Sequence, residues 1–486
     1  MATVNTNDLR ISNAKNFAST LGQGSYVFVG RQQPWDSDVA PPTPVNNYEE
    51  FISTYNQMVS MNRIASTDVF HMIPRLNWTS GAVYDIYRHD YSNTNRSFSG
   101  ASNLLNASWI TINASNSVYA CLGNNKNTAS TVEPQNTGNE PFYTSDGYQW
   151  LFLYTLTADQ LFAYGTNNFL PIIDTNSVTT TAGEIYSAVI DVAGNNYTGS
   201  PAGVNNQIPY YYCNVTGDGT GAVARISVDL GSITDITIVR QGSGYTWANV
   251  DFEAGQVYQS LGDLDSAING LDPLGDGTFQ STVILTPPGG FGSDLVRELG
   301  GIHVGIFSSL NYDLYHFVQD MTFRQVGIIQ NPTLEGNPVT ASACYAVKVN
   351  TYGGVANFTI GETITQDQTV LRSGNVGEDH TAKGTIVGWD ATNGVIRYTQ
   401  DPEYHTNREG NLYRFTGEYN IVGSTSSKVG VPDTEFTGDS TDITFTGGYA
   451  QPEVTKYTGT MPYLTNISPV LRQPAQTEKI RLIVTY

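Results

Sequence analysis

The chain has 486 residues, a formal net charge of −21 at pH 7, and 48 glycines and 30 tyrosines against only 14% charged residues. That composition favours an all-β chain with many turns over a helical enzyme, and the acidic balance argues against contact with a phosphate backbone. The length allows about two to four domains, the cysteines Cys121, Cys213 and Cys344 are spaced for neither a zinc site nor a redox pair, and no apolar run approaches a membrane span.

Residues 1–24 are polar and without pattern, which predicts an arm that orders only against a neighbour. Met1 to Ala18 lacks the charged start and apolar centre of a secretion signal, so the chain is expected to fold in a cytosol with its cysteines reduced and buried. Asn-x-Ser/Thr triplets such as those at Asn77, Asn106 and Asn357 then read as ordinary polar turns.

Ser25 to Gly30 is a short β-prone run, and Pro34, Pro41, Pro42 and Pro44 force an extended loop after it. Asn46 with Glu49 has capping-box-like spacing for the helix that follows. Tyr48, Phe51, Ile52, Tyr55, Met58 and Val59 recur by threes and fours, predicting one buried helical face. Asp68 to Tyr84 returns to strand-like sequence broken at Pro74 and Gly81, with Trp78 and Tyr84 as bulk.

Short strands and Asn-rich turns fill 93–141, with Ser117 to Leu122 running into Gly123-Asn124-Asn125-Lys126 as hairpin sequence. An aromatic-rich strand follows at Leu151 to Leu156, and Thr157 with Gln160 caps a short helix through Tyr164. Then a unit recurs. Val189 to Val192 leads to Tyr197-Thr198, Ile236 to Val239 leads to Tyr245-Thr246, and each is followed by Gly-Asp-Gly-Thr, at Gly217 to Thr220 and Gly275 to Thr278. Asp218 and Asp276 lack the ligand spacing and closing Glu of a calcium loop.

Pro288 to Asp294 is a glycine-rich path ahead of Arg297-Glu298, whose opposite charges are set to pair within the chain or with a neighbour. Between Asn337 and Gly459 the short runs Phe358 to Ile364, Gly384 to Trp389 and Val395 to Tyr398 suffice for a small barrel or sandwich, with Gly423 to Gly448 read as loop. Ile480 to Tyr486 alternates as a terminal strand expected inside a sheet.

Signals for chemistry are weak. The six histidines show no ligand spacing, His71 reads as a packed or paired histidine, and Glu298 has no partner as a catalytic carboxylate. Paired acids of a glycosidase leave little trace in sequence, so an enzyme is disfavoured rather than excluded at this level.

Several motifs together carry a family resemblance. They are Gly30-Arg31, Pro34-Trp35-Asp36, Pro41-Pro42-Thr43-Pro44, His71 to Arg75, Asn77 to Gly81, Asp146-Gly147-Tyr148-Gln149-Trp150, Asn168 to Pro171, Pro288 to Asp294, Arg297 to Gly301, Phe323 to Ile329, and the closing Pro469-Val470-Leu471-Arg472 with Gln476-Thr477-Glu478. In this order the chain resembles the dimeric, mainly β baseplate wedge subunit of contractile-tailed bacteriophages, almost continuously over the first 175 residues, whereas 337–459 departs from that pattern. The resemblance implies an antiparallel β-sandwich core with a few short helices, to which the sequence adds a repeated β unit and an inserted small β domain. It divides the chain into a wedge core of 1–180, 287–336 and 460–486, the duplicated units 181–286, and the insertion 337–459.

By the same resemblance, function is structural. The chain is expected as a non-enzymatic virion protein made in the host cytoplasm, working in tail assembly and in the rearrangement that triggers sheath contraction. Its partners would be itself as a homodimer, other wedge subunits and tail-fibre connector proteins, with no cofactor, nucleic acid or membrane. The motif aromatics and arginines Trp35, Arg75, Trp78, Arg297, Arg324 and Arg472 are the candidate interface anchors, each with core packing as the competing role. The alternative class is a receptor- or glycan-binding tail adhesin, in its enzymatic form a depolymerase, suggested by the tyrosines, the Asn-rich turns and the added β modules.

Overall fold

The computed structural model describes residues 6–173, 178–198, 210–310, 316–336, 338–351, 357–368, 380–473 and 476–486; Asn337, where the insertion was expected to begin, lies outside them. The expected mainly β class holds: antiparallel sheets dominate and the helices are few and short. Two compact units divide the chain, one of Met1–Lys15, Phe70–Val304 and Val484–Tyr486, the other of Asn16–Val69 and Gly305–Ile483.

In the first unit, strands Ile110–Ile112, Ser117–Asn124, Tyr148–Thr155 and Phe142–Tyr143 form a sheet in that order. Residues alternate between its faces as a pleated strand requires. Val118, Ala120, Leu122, Leu151 and Leu153 join Trp109 and Phe291 in one cluster, whereas Tyr119, Cys121, Tyr148, Trp150 and Phe152 join Tyr84 in another. Both faces are covered, which is why these strands read as near-continuous apolar runs. The tight turn lies at 113–116, where Asn116 takes φ 63 and the Asn113 side chain accepts from the Ser115 and Ser117 amides.

The repeated unit is present, but its halves pair differently from their order in sequence. The turn at 217–220 opens strand Thr220–Asp229, which pairs with Ser232–Ser243, whose end leads to Tyr245. The turn at 275–278 precedes Gln280–Leu285, which pairs with Ile185–Val192, whose end leads to Tyr197. Each Gly-Asp-Gly-Thr turn therefore meets the tyrosine of its paired strand, and the first copy is nested inside the second. The Tyr245 hydroxyl donates to the Val215 carbonyl at 3.0 Å and accepts the Ala222 amide at 3.2 Å, while Phe279 donates its amide to the Tyr197 hydroxyl at 3.3 Å.

In the second unit, Ser25–Gly30 is buried throughout and central in a sheet ordered Thr340–Ser342, Met58–Arg63, Ser25–Gly30, Thr322–Gln330, Thr460–Leu471. The insertion closes into a six-stranded barrel: Tyr345–Thr351, Val395–Thr399, Thr381–Asp390, Thr363–Asp367, Ile421–Gly423 and Val429–Pro432, the last pairing back to the first. Val347, Ile364, Ile386, Ile396, Tyr398 and Ile421 fill it.

Four local expectations are corrected. Residues Asn7–Leu21 form a helix rather than a loose arm, with Ile11, Ala14 and Leu21 buried on a stripe too weak to register as a pattern. It is held by its own chain: Arg10 Nε donates to the Tyr486 carbonyl at 2.6 Å, and Lys15 pairs with Asp294 at 2.6 Å. Helix Tyr48–Gln57 is capped by Asn47, not Asn46, and it stops before Met58 because Met58 and Val59 are strand residues beside Gly30 and Val29. Its apolar face points outward at Tyr48 and Ile52, and the buried side chains are Thr54, Asn56 and Gln57. Gly423 to Gly448 is not loop: it contains the barrel strand Val429–Pro432 and a hairpin of Gly438–Ser440 with Ile443–Phe445.

Candidate interaction site

The Pro-Trp-Asp loop is built by a chain of polar contacts. After the strand Ser25–Gly30, Arg31 adopts φ 56 and turns the backbone off the sheet. Its guanidinium lies 3.7 Å over the Trp35 ring. Trp35 Nε1 donates to the Ile467 carbonyl at 3.2 Å, and Asn466 Nδ2 donates to the Pro42 carbonyl at 3.0 Å. Those two bonds lay the loop along strand Thr460–Leu471, the last strand of its sheet, whose two prolines also blunt pairing. Asp38 closes the arrangement, accepting the Trp35 amide at 3.0 Å and both Nε and NH2 of Arg324 at 2.8 Å. The bidentate Arg324, followed by the Trp35 amide, holds the Asp38 carboxyl down at about 2.

The other candidates are also engaged within the chain. Arg75 donates to Asn77 Oδ1 at 2.9 Å and to the Thr166 carbonyl at 3.1 Å, and the Trp78 indole donates to Ser130 Oγ at 3.2 Å. Arg472 is fully buried, 3.7 Å over the Phe317 ring and 3.5 Å from Glu478. Arg297 is exposed and meets Asp8 at 3.2 Å. The structure brings Trp35 and Arg324 together through Asp38 and gathers none of the six into a catalytic arrangement.

Glu298, read from the sequence as one of two opposite charges available for pairing, is a loop clamp. It accepts the Gly292 and Asp294 amides, both at 2.7 Å. Gly292 has φ 86, and a Cβ there would lie 1.7 Å from the Val178 carbonyl oxygen, so only glycine fits the path that Glu298 fixes. His71 is packed: its Nδ1 lies 2.9 Å from the Gly301 carbonyl and burial lowers its pKa. Asp218 spends its carboxylate on Thr246 Oγ1 and on the Thr246 and Trp247 amides. All three cysteines are buried and unpaired. Among the described residues, no group of three or more His, Cys, Asp or Glu is placed to hold a metal ion, and no helix is long and apolar enough to cross a membrane.

Val39, Val45, Tyr48 and Ile52, from the proline loop into the helix, are 92%, 56%, 86% and 48% exposed. A cleft of about 390 Å³ opens beside the barrel, lined among others by Gln319, Asp320, Trp389, Asn393, Arg397 and Thr441. Gln319 Nε2, Trp389 Nε1 and Thr441 Oγ1 are buried there with no hydrogen-bond partner among the described residues. Arg397, only 4% exposed, donates to the Thr441 carbonyl at 3.3 Å, and the Trp389 ring packs edge-on against Phe358 at 5.1 Å. No protein-family model and no curated protein matches the sequence.

Proposed function

We propose that the chain is a structural subunit of a contractile-phage baseplate wedge. It acts through homodimer and inter-subunit contacts in tail assembly and in the rearrangement that triggers sheath contraction. The motif series from Gly30-Arg31 to Gln476-Thr477-Glu478 supports the reading by resemblance. The observation that carries it physically is the use of the motif residues Trp35, Glu298, Arg324 and Arg472. With Asp38, which lies outside the motifs, they direct their polar groups into the chain itself, fixing loops as a load-transmitting framework requires.

Such a subunit works by surfaces, and two copies at −21 each repel, so self-association needs an apolar contact. The exposed Val39, Val45, Tyr48 and Ile52 supply one, and we assign the homodimer contact to them. Other wedge subunits and tail-fibre connector proteins would then bind elsewhere on the dimer and shift against it on contraction. Sedimentation of the purified chain tests the assignment: wild type is expected as a dimer, and Tyr48→Asp with Ile52→Asp as a folded monomer. A wild-type monomer, or a dimer indifferent to both changes, would remove it.

A further inference from the structure

Bulky L-residues avoid the left-handed backbone region, where Cβ crowds the following carbonyl, so turns that need it use glycine or asparagine. The repeated unit follows this rule at Gly194, Asn196, Gly231 and Gly275, and breaks it twice close by: Leu230 has φ 47 and Leu274 φ 53. Both leucines are also bare, at 99% and 62% exposed. A residue that is strained and unpacked adds little to its own fold, and strain of this kind collects where a surface is used. We propose that Leu230 and Leu274 form a docking tip for another protein, one that offers an apolar depression rimmed by lysine and arginine. The inference rests on the wedge reading, in which that partner is another baseplate wedge subunit.

The tip is preformed. Residues 195–198 run between the two turns and are bonded to both: Tyr197 donates its amide to the Gly231 carbonyl at 2.9 Å, Thr198 donates to Pro273 at 2.8 Å, and Asp276 donates to Asn195 at 2.9 Å. Two inter-strand spacings, roughly 10 Å, therefore separate the turns that carry the leucines. The Asp272 carboxylate accepts the Leu274 amide at 2.9 Å and sets the second turn. Both anchors are held before a partner arrives, which lowers the ordering cost of binding. Charge then selects the partner. The exposed Asp229, Asp272 and Asp276 stand on these same turns, which carry no lysine or arginine. Residues 181–286 hold 11 acidic residues against two arginines, and both arginines are engaged elsewhere, Arg240 with Asp265 and Arg225 with Thr237. Such a rim repels a second copy of itself, a nucleic acid or an anionic lipid surface, whereas a basic protein surface attracts it.

Light scattering and calorimetry test the tip, with the full chain mixed in turn with each purified wedge protein and with phosphatidylcholine and phosphatidylglycerol vesicles. At least one wedge protein should bind wild type, and about tenfold more weakly when Leu230→Asn and Leu274→Gly are combined. The melting temperature of that double variant should equal or exceed wild type, since both new residues accept the left-handed conformation, and its self-associated mass should not change. Leu230→Met with Leu274→Met keeps an apolar tip and should bind as wild type does. Equal binding by wild type and the first double variant would overturn the tip and leave the wedge reading standing, and a lower melting temperature in that variant would overturn it by showing that the leucines pack. Binding of wild type to no wedge protein would overturn both readings. Adhesion to vesicles alone, lost in the variant, would replace the protein partner by a membrane and so overturn the proposal.

Discussion

The ring of Tyr197 occupies the space that a side chain at Gly275 would need: a Cβ there would stand 2.1 Å from Tyr197 Cε1. In the other copy the tyrosine meets both glycines of the turn: a Cβ at Gly217, the counterpart of Gly275, would stand 3.0 Å from Tyr245 Cδ1 and one at Gly219 2.4 Å from Tyr245 Cγ, whereas Gly277 has nothing within 4 Å. Each tyrosine thereby packs on the first glycine of the turn in its own copy.

Gly275→Ala should destabilise the first unit by roughly 1–3 kcal/mol, because the residue has φ +91 as well as no room for a methyl group. Tyr197→Phe, which removes only the hydroxyl that accepts from Phe279, should cost about 1 kcal/mol. Urea unfolding read through tyrosine and tryptophan fluorescence checks the order; equal effects of the two changes would contradict the packing argument.

Asp38 gives a pH signature to the proline loop. Its folded pKa, about 2, lies below the ordinary carboxyl value of 3.8 because of Arg324, so the stabilisation is complete above the unfolded value and lost as pH falls from there towards 2. Hydrogen exchange at the Trp35 indole N–H should accelerate across that window in wild type. Asp38→Asn should show faster exchange already at pH 7 and no further step.

His405 acts at higher pH. It is 2% exposed, its Nε2 lies 2.8 Å from Thr385 Oγ1, and Nδ1 accepts the Asp401 amide at 2.7 Å. Burial lowers its pKa from 6.5 to about 4, with Lys383 acting in the same direction and Asp401 against it. A histidine depressed in the fold contributes stability above the unfolded pKa and loses it as pH drops from about 6.5 to 4, a span worth roughly 3 kcal/mol. The urea midpoint of the second unit should fall between pH 7 and pH 4.5, and less so in His405→Gln; a wild-type midpoint flat over that range would refute the assignment.

Salt should affect self-association in an unusual direction. If the dimer is held by Tyr48 and Ile52 against net repulsion, lowering ionic strength from roughly 0.15 M to 0.01 M lengthens the Debye screening distance from about 8 to 30 Å and should weaken it. Sedimentation at both strengths measures this, and tighter association at low salt would point to charge-complementary contacts instead.

Much of the fold was legible where burial is two-sided or turn chemistry is local. Ser25–Gly30 read as a strand because every residue in it is buried, and the Thr157–Gln160 capping box forms as its spacing implies. The closed barrel fits the short Gly-punctuated runs of the insertion, though Val429–Pro432 was lost among Ser, Thr and Gly because its strand character comes from its neighbours, Tyr345–Thr351 and Ile421–Gly423. The helix Tyr48–Gln57 shows the opposite failure. Its apolar period was real, but the strand pairing of Met58 ended it early and its buried face is polar, with Gln57 Nε2 donating to Asp401 at 2.6 Å. Nesting of one repeat in the other was invisible because sequence order does not state which strands pair, and the barrel cleft was invisible because Gln319, Trp389 and Thr441 meet only in space.

The central claim, that this chain works by fitting against other proteins, is tested most directly by light scattering on the purified full chain, alone and mixed with the other proteins of a contractile-tail baseplate. The account predicts a dimer that gains mass in discrete steps on mixing. A monomer or trimer whose mass stays constant in every mixture would contradict it.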